Sequence, residues 1–352
     1  MNPLRIATLN CLNLALPARR TYDSWPPYSA DEYLAKTQWL GQMIDRLAAD
    51  IVCLQEVFHA QALGDVVRQT AAQGKGWSFA VPLADEQNMK PRLGLLWRSA
   101  LALQVESIAD LPPGGPVPLP EHEPHTRFSR PLLRARVPLS PALAGAPAPS
   151  ELTLFNVHLK SRRPEFAPGE DESDPAHEAR AQLRSLMMRG AEAAALRALV
   201  AAHMRGNRTP LIVAGDFNDG PQSVTTQIVA DTSWKRDDRR QRDCMLFNAL
   251  DVEQRLVPGS RQAGDGVFTI LHGGEPERID HVLVSEEFVP QSRHALGYVE
   301  RVEVLNDHLL ERRRGRAPMA AAQDGPDLGR ILSDHAAVCV SIVLGSGAPP
   351  AR

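Results

Sequence analysis

The chain has few cysteines, and their spacing excludes the common metal and redox motifs. Four cysteines occur among 352 residues, and none of them forms a CxxC pair. Cys11, Cys53 and Cys339 lie in or beside apolar segments. We therefore expect buried free thiols rather than disulfides or zinc ligands.

Long apolar runs and a strong net charge are also missing. No stretch approaches the roughly 18 to 20 apolar residues that span a bilayer, and the first residues show no charged or apolar leader pattern before the strand-like residues 4–9. We expect a cytoplasmic protein, a monomer without integral membrane association. The net charge of −3 excludes a global attraction to polyanions, so a phosphorylated substrate would need local cations or metal. The basic runs 235–242 and 312–316 are either solvated surface or a binding patch.

What is present is an ordinary globular composition, 43% apolar and 23% charged, with strand patterns along the whole length. The pattern predicts one domain over residues 1–345 with a short tail, 346–352. Apolar residues that recur at spacings of three and four, among them Leu183, Leu186 and Leu196, predict a helix over 176–204 with these side chains on its buried face. A capping box predicts another helix from Ser29. The predicted strands are 5–10, 51–55, 77–81, 93–98, 103–108, 131–137, 152–158, 211–214, 278–284, 297–304 and 336–343.

Many strands with few long helices favour a layered α/β or α+β sandwich, in which helices cover facing sheets. Four segments carry loop signals instead. They are the proline-rich 111–124 and 138–149, the charged 162–175 and the long connection 306–332.

Polar side chains recur where these predicted strands end. Asp216 and Asn218 follow the apolar run 211–214, and Glu56 follows another such run. Catalytic groups commonly lie at such ends. The remaining members of the set are His158, Asp280, His281 and His335.

Each of these signals also has a plain structural interpretation. Gly215-Asp-Phe-Asn218 is equally typical of a turn, and a single histidine such as His158 is often only hydrogen-bonded structure. His281 and Asp280 point to opposite faces of a strand, so we expect only Asp280 to reach a site. The co-occurrence of these side chains at successive strand ends favours the catalytic interpretation.

The set suits phosphodiester hydrolysis with a hard metal. Magnesium takes oxygen ligands and needs few protein carboxylates, so Glu56 is a candidate ligand. Asp216 can activate a water that Asn218 holds, and a positioned base contributes on the order of 10² to 10⁴ in rate. His335 can donate to a phosphoryl oxygen while Asp280 holds its tautomer.

The ordered segments resemble the endonuclease/exonuclease/phosphatase superfamily over nearly the whole chain. The segments are Thr8-Leu-Asn10, Gln55-Glu56, Asn156-Val-His158, Gly215-Asp-Phe-Asn218, Ile279-Asp280 and Ser333-Asp-His335. The resemblance implies a four-layer α/β sandwich, with two facing mixed β-sheets covered by helices and the site at one edge. It also implies a Mg²⁺ or Mn²⁺ cofactor.

The resemblance also implies a role for each matching residue. Asn10, Glu56 and Asp334 match the metal site. Asp216 and Asn218 match the water-activating pair, Asp280 and His335 the pair that orients the phosphate. His158 matches the position that helps protonate the leaving group, and Arg130 and Lys160 are placed like phosphate-binding cations.

Two departures separate the chain from the abasic-site repair branch, which has an acid at the position of Leu12 and a tyrosine at that of His158. The leading expectation is a nuclease acting on DNA or RNA. The alternative is a phosphatase or phosphodiesterase of small or lipid-linked phosphates, of the inositol-phosphate or sphingomyelin type. An inactive binding module is a third hypothesis, which the complete residue set disfavours.

Overall fold

The structure is a computed structural model that describes residues 3–22, 25–82, 90–139, 150–231, 244–256, 266–313 and 328–345. The basic run 235–242, the segment 140–149 and the tail 346–352 lie outside these residues. So does most of the run 312–316.

Two six-stranded mixed sheets form the centre of the molecule. The first has the order β15-β16-β1-β2-β4-β3. Its strands are β1 (Leu4–Leu14), β2 (Ile51–Val57), β3 (Trp77–Ala80), β4 (Arg92–Arg98), β15 (Gly297–Leu305) and β16 (Ala337–Leu344). β1 and β2 are parallel, and the other neighbours are antiparallel.

The second sheet has the order β11-β14-β10-β9-β8-β5. Its strands are β5 (Gln104–Asp110), β8 (Arg127–Pro138), β9 (Glu151–His158), β10 (Leu211–Asp216), β11 (Leu246–Asn248) and β14 (Asp280–Ser285). Only the central pair β9 and β10 is parallel. Each sheet therefore has one parallel pair near its middle, and predicted polar residues lie on or directly after these four strands.

Apolar side chains of the two sheets meet in a buried layer. Ile6, Cys53 and Leu95 of the first sheet belong to one cluster with Leu154 and Val282 of the second. The outer face of each sheet is apolar as well, so burial on both faces favours helices on the outside.

The helices cover these outer faces. α1 (Ala30–Leu47) and α2 (Ala60–Arg68) pack on the first sheet, and α3 (Pro175–Met204) and α4 (Val224–Ala230) pack on the second. The predicted four-layer sandwich is confirmed. The structure also describes three further short α-helices, α5 (Ala249–Leu256), α6 (Asp307–Arg313) and α7 (Leu328–Ile331), and two 3-10 turns at Ser99–Leu101 and Glu286–Phe288.

The predicted strands and both predicted helices are present, including the capping box of Ser29 and Glu32 at α1. The strand β11 and two short ribbons were not predicted. The ribbons are β6 (Val117–Leu119) with β7 (His122–His125), and β12 (Ile270–His272) with β13 (Glu275–Glu277). The segments 111–124 and 306–332 are therefore not wholly irregular, because short elements with local hydrogen bonds lie inside them.

The face that α3 buries differs from the expected one. Leu183 and Leu186 are 48% exposed, whereas Arg184 and Glu192 are fully buried. The reason is tertiary: the first half of α3 packs on polar loops, whose backbone groups need hydrogen-bonding partners.

The cysteines follow the expectation of free thiols. Cys11, Cys53 and Cys339 are buried, and Cys244 is partly exposed. Among the described residues, no helix combines the length and apolar character of a membrane-spanning segment.

Candidate active site

Asn10 joins the two sheets at the centre of the site. Its Nδ2 lies 3.1 Å from Oδ2 of Asp216 and 3.4 Å from Oε1 of Glu56. The Glu56 backbone is left-handed, with φ 58°, which turns the carboxylate toward β1 at the end of β2. The backbone N–H of Asn13 donates to the other Glu56 oxygen at 2.9 Å. A carboxylate from each sheet is thus held by one amide.

The register of the second sheet places three site residues side by side. Asp216 of β10 pairs with His158 of β9 on one side and with Asp280 of β14 on the other. Neighbouring strands lie about 5 Å apart, so the three side chains share one edge. Nε2 of His158 lies 3.4 Å from Oδ2 of Asp216.

Asn218 follows in a left-handed turn, with φ 54°. Its backbone N–H donates to Oδ1 of Asp216 at 2.8 Å, and its side-chain amide donates to the Leu159 carbonyl at 2.9 Å. The sequence Gly215-Asp-Phe-Asn218 is therefore both a turn and part of the site. The two interpretations left open by the sequence do not exclude one another.

His335 lies in the loop before β16. Its Nδ1 lies 2.9 Å from Oδ2 of Asp280, and its Nε2 lies 3.9 Å from Oδ2 of Asp216. The Ser333 hydroxyl fixes this loop, because it donates to the Asn10 carbonyl at 2.7 Å and accepts from the His335 N–H at 2.9 Å. His281 points the other way, with its ring 2.9 Å from the Asp219 carbonyl.

Burial and neighbouring charges change the protonation of these groups. Burial, together with the charge of Asp280, raises the pKa of Asp216 to about 7. Burial and the cations of Arg130 and His335 lower the pKa of His158 well below its usual range. Burial also disfavours the His335 imidazolium, but the carboxylates of Asp280, Asp216 and Asp334 outweigh it and raise its pKa.

Arg130 and Lys160 lie at the margin of the site. Arg130 Nη1 is 3.4 Å from the Leu159 carbonyl, next to His158. Lys160 is largely buried and forms an ion pair with Glu165 at 3.1 Å. The Lys160 ammonium also donates to the Arg163 carbonyl at 3.3 Å, so this cation is held in place by two acceptors.

The donor atoms suit a hard metal ion. One ligand atom from each of Asp216, Asp280 and His335 lies within 4.8 Å of the others. Oδ1 of Asp280 and Oδ1 of Asp334 are buried and have no hydrogen-bond partner among the described residues. Such orphaned carboxylate oxygens match the oxygen preference of Mg²⁺.

A buried carboxylate that was not predicted from the sequence holds the backbone beside the site. Glu192 of α3 is fully buried and accepts from the Lys160 backbone N–H at 2.7 Å. It also accepts from the Ser129 N–H at 2.8 Å and its hydroxyl at 2.6 Å, and lies 3.1 Å from His125. The feature of the sequence that could have identified Glu192 is an acidic residue inside the alanine-rich part of a predicted helix.

Tyr22 was not predicted either, because no strand or helix pattern marks its position. Its ring packs edge-on against Phe58, with 5.9 Å between the ring centroids. Burial and the nearby Glu56 raise the pKa of its hydroxyl, whereas Arg130 and Arg163 oppose that rise. The Tyr22 hydroxyl is therefore close enough to the Glu56 carboxylate and to these two arginines for their charges to act on it.

Comparison with known proteins places this geometry in a family. The family model for the endonuclease/exonuclease/phosphatase family matches residues 7–335. The chain belongs to this family. The endonuclease/exonuclease/phosphatase assignment makes it a hydrolase of phosphoester bonds in a family of metal-dependent enzymes, and the cluster of Asp216, Asp280 and His335 is able to hold metal.

Solved structures of this family share the fold at low sequence identity. The human Nocturnin catalytic domain with bound sulfate is 16% identical, with 97% of this chain and 94% of that chain covered and a TM-score of 0.51. The mannosyl-6-phosphatase of Bacteroides thetaiotaomicron is 16% identical, with 97% and 100% covered and a TM-score of 0.52. D. rerio TDP2 with a single-strand DNA product is 13% identical, with 96% and 98% covered and a TM-score of 0.52. A search of curated proteins found no significant match.

Proposed function

We propose that this protein is a phosphodiesterase that depends on Mg²⁺ or Mn²⁺ and hydrolyses DNA or RNA. One observation carries the proposal: the Asp216 carboxylate accepts from Asn10 and Asn218 and lies 3.4 Å from His158. A carboxylate surrounded in this way by polar groups from both sheets is placed to act on a bound phosphate.

Glu56, Asn10 and Asp334 are the proposed metal residues. Their oxygens are the hard donors that such a cation prefers, and Glu56 is held by Asn10 and the Asn13 N–H. A bound divalent cation supplies Lewis-acid stabilisation of charge on the phosphate oxygens. His335 is assigned to the phosphate rather than the metal, because the neighbouring carboxylates favour its charged form, in which both ring nitrogens are hydrogen-bond donors.

Asp216 is the proposed general base. Burial raises its pKa to about 7, so it binds a proton more tightly than an exposed carboxylate does. A base is most effective when its pKa is close to the working pH. The amide of Asn218 would hold the attacking water or a phosphate oxygen beside this carboxylate.

His335 and His158 are assigned different tasks by their surroundings. The carboxylate of Asp280 favours a charged His335, which can donate from Nε2 to a phosphoryl oxygen. His158 is held neutral by burial and by neighbouring cations. We therefore assign it as a neutral hydrogen-bond donor to the leaving oxygen.

The second candidate function is a phosphatase or phosphodiesterase of small or lipid-linked phosphates. The mannosyl-6-phosphatase with this fold supports keeping that candidate. Arg130 and Lys160 favour the nuclease, because cations beside the reacting phosphate suit a substrate with further phosphates.

A single domain over residues 1–345 is supported by the pairing of β1 with β16, which brings both ends of the described chain into one sheet. We also propose a monomer. Light scattering on the purified protein tests its mass.

A cleavage screen tests the proposed function. Purified protein is incubated with supercoiled, linear and single-stranded DNA, RNA, inositol phosphates, sphingomyelin and a sugar phosphate, with Mg²⁺, with Mn²⁺ or with chelator. We expect metal-dependent cleavage of nucleic acid and a loss of roughly 10² or more in Asp216→Asn and in His335→Ala. Release of inorganic phosphate from small substrates with nucleic acids intact would support the second candidate instead.

A further inference from the structure

A cleft of about 950 Å³ opens beside the candidate active site. Its lining includes Arg130 and Lys160, so it is continuous with the margin of that site. Tyr22, whose ring is oriented by Phe58, also lines it. We call this feature the basic cleft, because its lining contains six lysine and arginine side chains: Lys90, Arg92, Arg127, Arg130, Lys160 and Arg163.

Carboxylates are scarce in the lining of the basic cleft. Glu165 is the single one among the described lining residues, and it pairs with Lys160. Arg127 pairs with Asp110 outside the cleft, but both side chains are largely exposed, so this pair contributes little. The protein carries a net charge of −3 overall, so this positive charge is a local feature.

Hydrogen bonds hold the backbone that carries several cations of the basic cleft. The Arg163 carbonyl accepts from Lys160 Nζ at 3.3 Å and from the Ser185 hydroxyl, while the Arg163 side chain is exposed. The buried Glu192 carboxylate accepts from the backbone N–H groups of Ser129 and Lys160, so it holds these two lining residues together. A cation on a fixed backbone loses less freedom when it binds an anion.

We propose that the basic cleft binds the phosphates of a single-stranded nucleic acid next to the phosphodiester that is cut. This inference rests on the proposed function. Lys90, Arg127 and Arg163 add positive charge beyond that of Arg130 and Lys160, and this excess indicates further phosphates, which follow along the same strand. Tyr22 provides the flat ring on which a base of such a strand stacks.

The shape of the basic cleft favours one strand over a duplex. A concavity of about 950 Å³ lies within the range of small-ligand pockets and has room for a few nucleotides. A duplex exposes its phosphates on a wide convex cylinder, which fits a concavity of this size less closely than one strand does. Single strands bind to positively charged grooves with aromatic residues in this manner.

Equilibrium binding tests the proposal without requiring catalysis. Fluorescent thymidine oligonucleotides of two, four, eight and twelve residues are titrated with the full-length protein in chelator, with anisotropy as the readout. We expect at least roughly tenfold tighter binding of the eight-residue strand than of the two-residue strand, and weaker binding with added salt. Equal affinity for both lengths, or equal affinity for a hairpin duplex, would overturn the proposal.

Charge reversal identifies the residues. Arg127→Glu and Arg163→Glu on one part of the cleft, and Lys90→Glu on another, should each weaken binding of the eight-residue strand several-fold. Each should also flatten the salt slope by about 0.7 for every phosphate that is no longer bound. Arg205→Glu, an exposed position outside the cleft, is the matched control and should bind like the parent. Three cleft variants that are folded by circular dichroism and bind like this control would reject the cleft.

The same protein is assayed with Mg²⁺ on bis(p-nitrophenyl) phosphate and on the oligonucleotides. Length-dependent binding without hydrolysis of any phosphoester rejects the proposed function and leaves the cleft in place. Hydrolysis without length-dependent binding rejects the role of the cleft and leaves the proposed function in place.

Discussion

Gln55 of the first sheet donates its side-chain amide to the side-chain carbonyl of Asn156 in the second sheet at 2.9 Å. Both residues are buried, and each closely precedes a proposed site residue, Glu56 or His158. The side-chain amide of Asn156 donates in turn to the backbone carbonyls of Leu54 and Gly94 in the first sheet. This polar contact aligns the two sheets directly beneath the site.

Removal of this contact should destabilise the fold. Asn156→Ala removes one acceptor of the Gln55 amide and the side-chain donor to the Leu54 and Gly94 carbonyls, at about 1 to 3 kcal/mol for each buried group that loses its partner. Urea unfolding measures the change, and a double-mutant cycle with Gln55→Ala should give a coupling of about 0.5 to 3 kcal/mol. Gln182→Ala, on the exposed face of α3, is the control and should stay within about 0.5 kcal/mol. Additive effects of the two buried substitutions would contradict a direct contact.

Alanine substitutions at two glycines should change the free energy of unfolding in opposite directions. Gly215 has φ 151°, and an added Cβ would lie 1.9 Å from the Val157 carbonyl oxygen. Gly215→Ala should therefore force β9 and β10 apart and lower the free energy of unfolding by more than about 2 kcal/mol. Gly190 lies inside α3 with nothing within 4 Å of an added Cβ. Gly190→Ala should stabilise by about 0.5 to 1 kcal/mol. Thermal unfolding of both variants measures the two changes in stability. Equal destabilisation by Gly215→Ala and Gly190→Ala would contradict the prediction.

The Glu192 carboxylate should matter for stability and for the position of the cations. Glu192→Gln removes an acceptor from the group that holds Ser129 and Lys160. We expect a loss of about 1 to 3 kcal/mol in the free energy of unfolding and a higher KM for nucleic acid. Glu178→Gln, exposed on the same helix, is the control. Parental stability and KM in Glu192→Gln would show that these hydrogen bonds are dispensable.

Metal removal should abolish hydrolysis, and Glu56 should set the metal requirement. Glu56→Gln keeps the shape of the side chain but loses the charge that attracts a cation. The Mg²⁺ concentration for half-maximal activity should rise roughly tenfold or more. A metal titration of hydrolysis measures this shift, with the rise in melting temperature on metal addition as a second readout. An unchanged titration in both would remove Glu56 from the metal site.

The protonation of Asp216 predicts a pH effect on the metal-free protein. Its pKa is raised to about 7 from an ordinary 3.8, so the folded state holds a proton that the unfolded chain releases. This contribution to stability is complete below about pH 3.8 and is lost as pH rises through about 7. Asp216→Asn cannot titrate there, so its stability relative to the parent should increase as pH rises toward and through about 7. Urea unfolding in chelator measures the difference, and parallel pH curves would contradict the raised pKa.

Local patterns were sufficient to predict eleven of the sixteen described strands, the two long helices and the polar residues at strand ends. Such features depend on near neighbours in the chain, for example the apolar run before Asp216 and the capping box at Ser29. The short strands β6, β7, β11, β12 and β13 were not predicted, because three or four residues carry too little periodicity.

The amino-acid sequence by itself determined which chemical groups are available: carboxylates, amides and imidazoles in the order of one family, with cations nearby. Only the tertiary structure decided that Asn10 bridges Glu56 and Asp216, that Glu192 lies buried beneath Lys160, and that six cations share one cleft. The physical reason is that these contacts join residues tens to hundreds of positions apart. Their distances follow from how the two sheets pack and pair in register, which local periodicity does not encode.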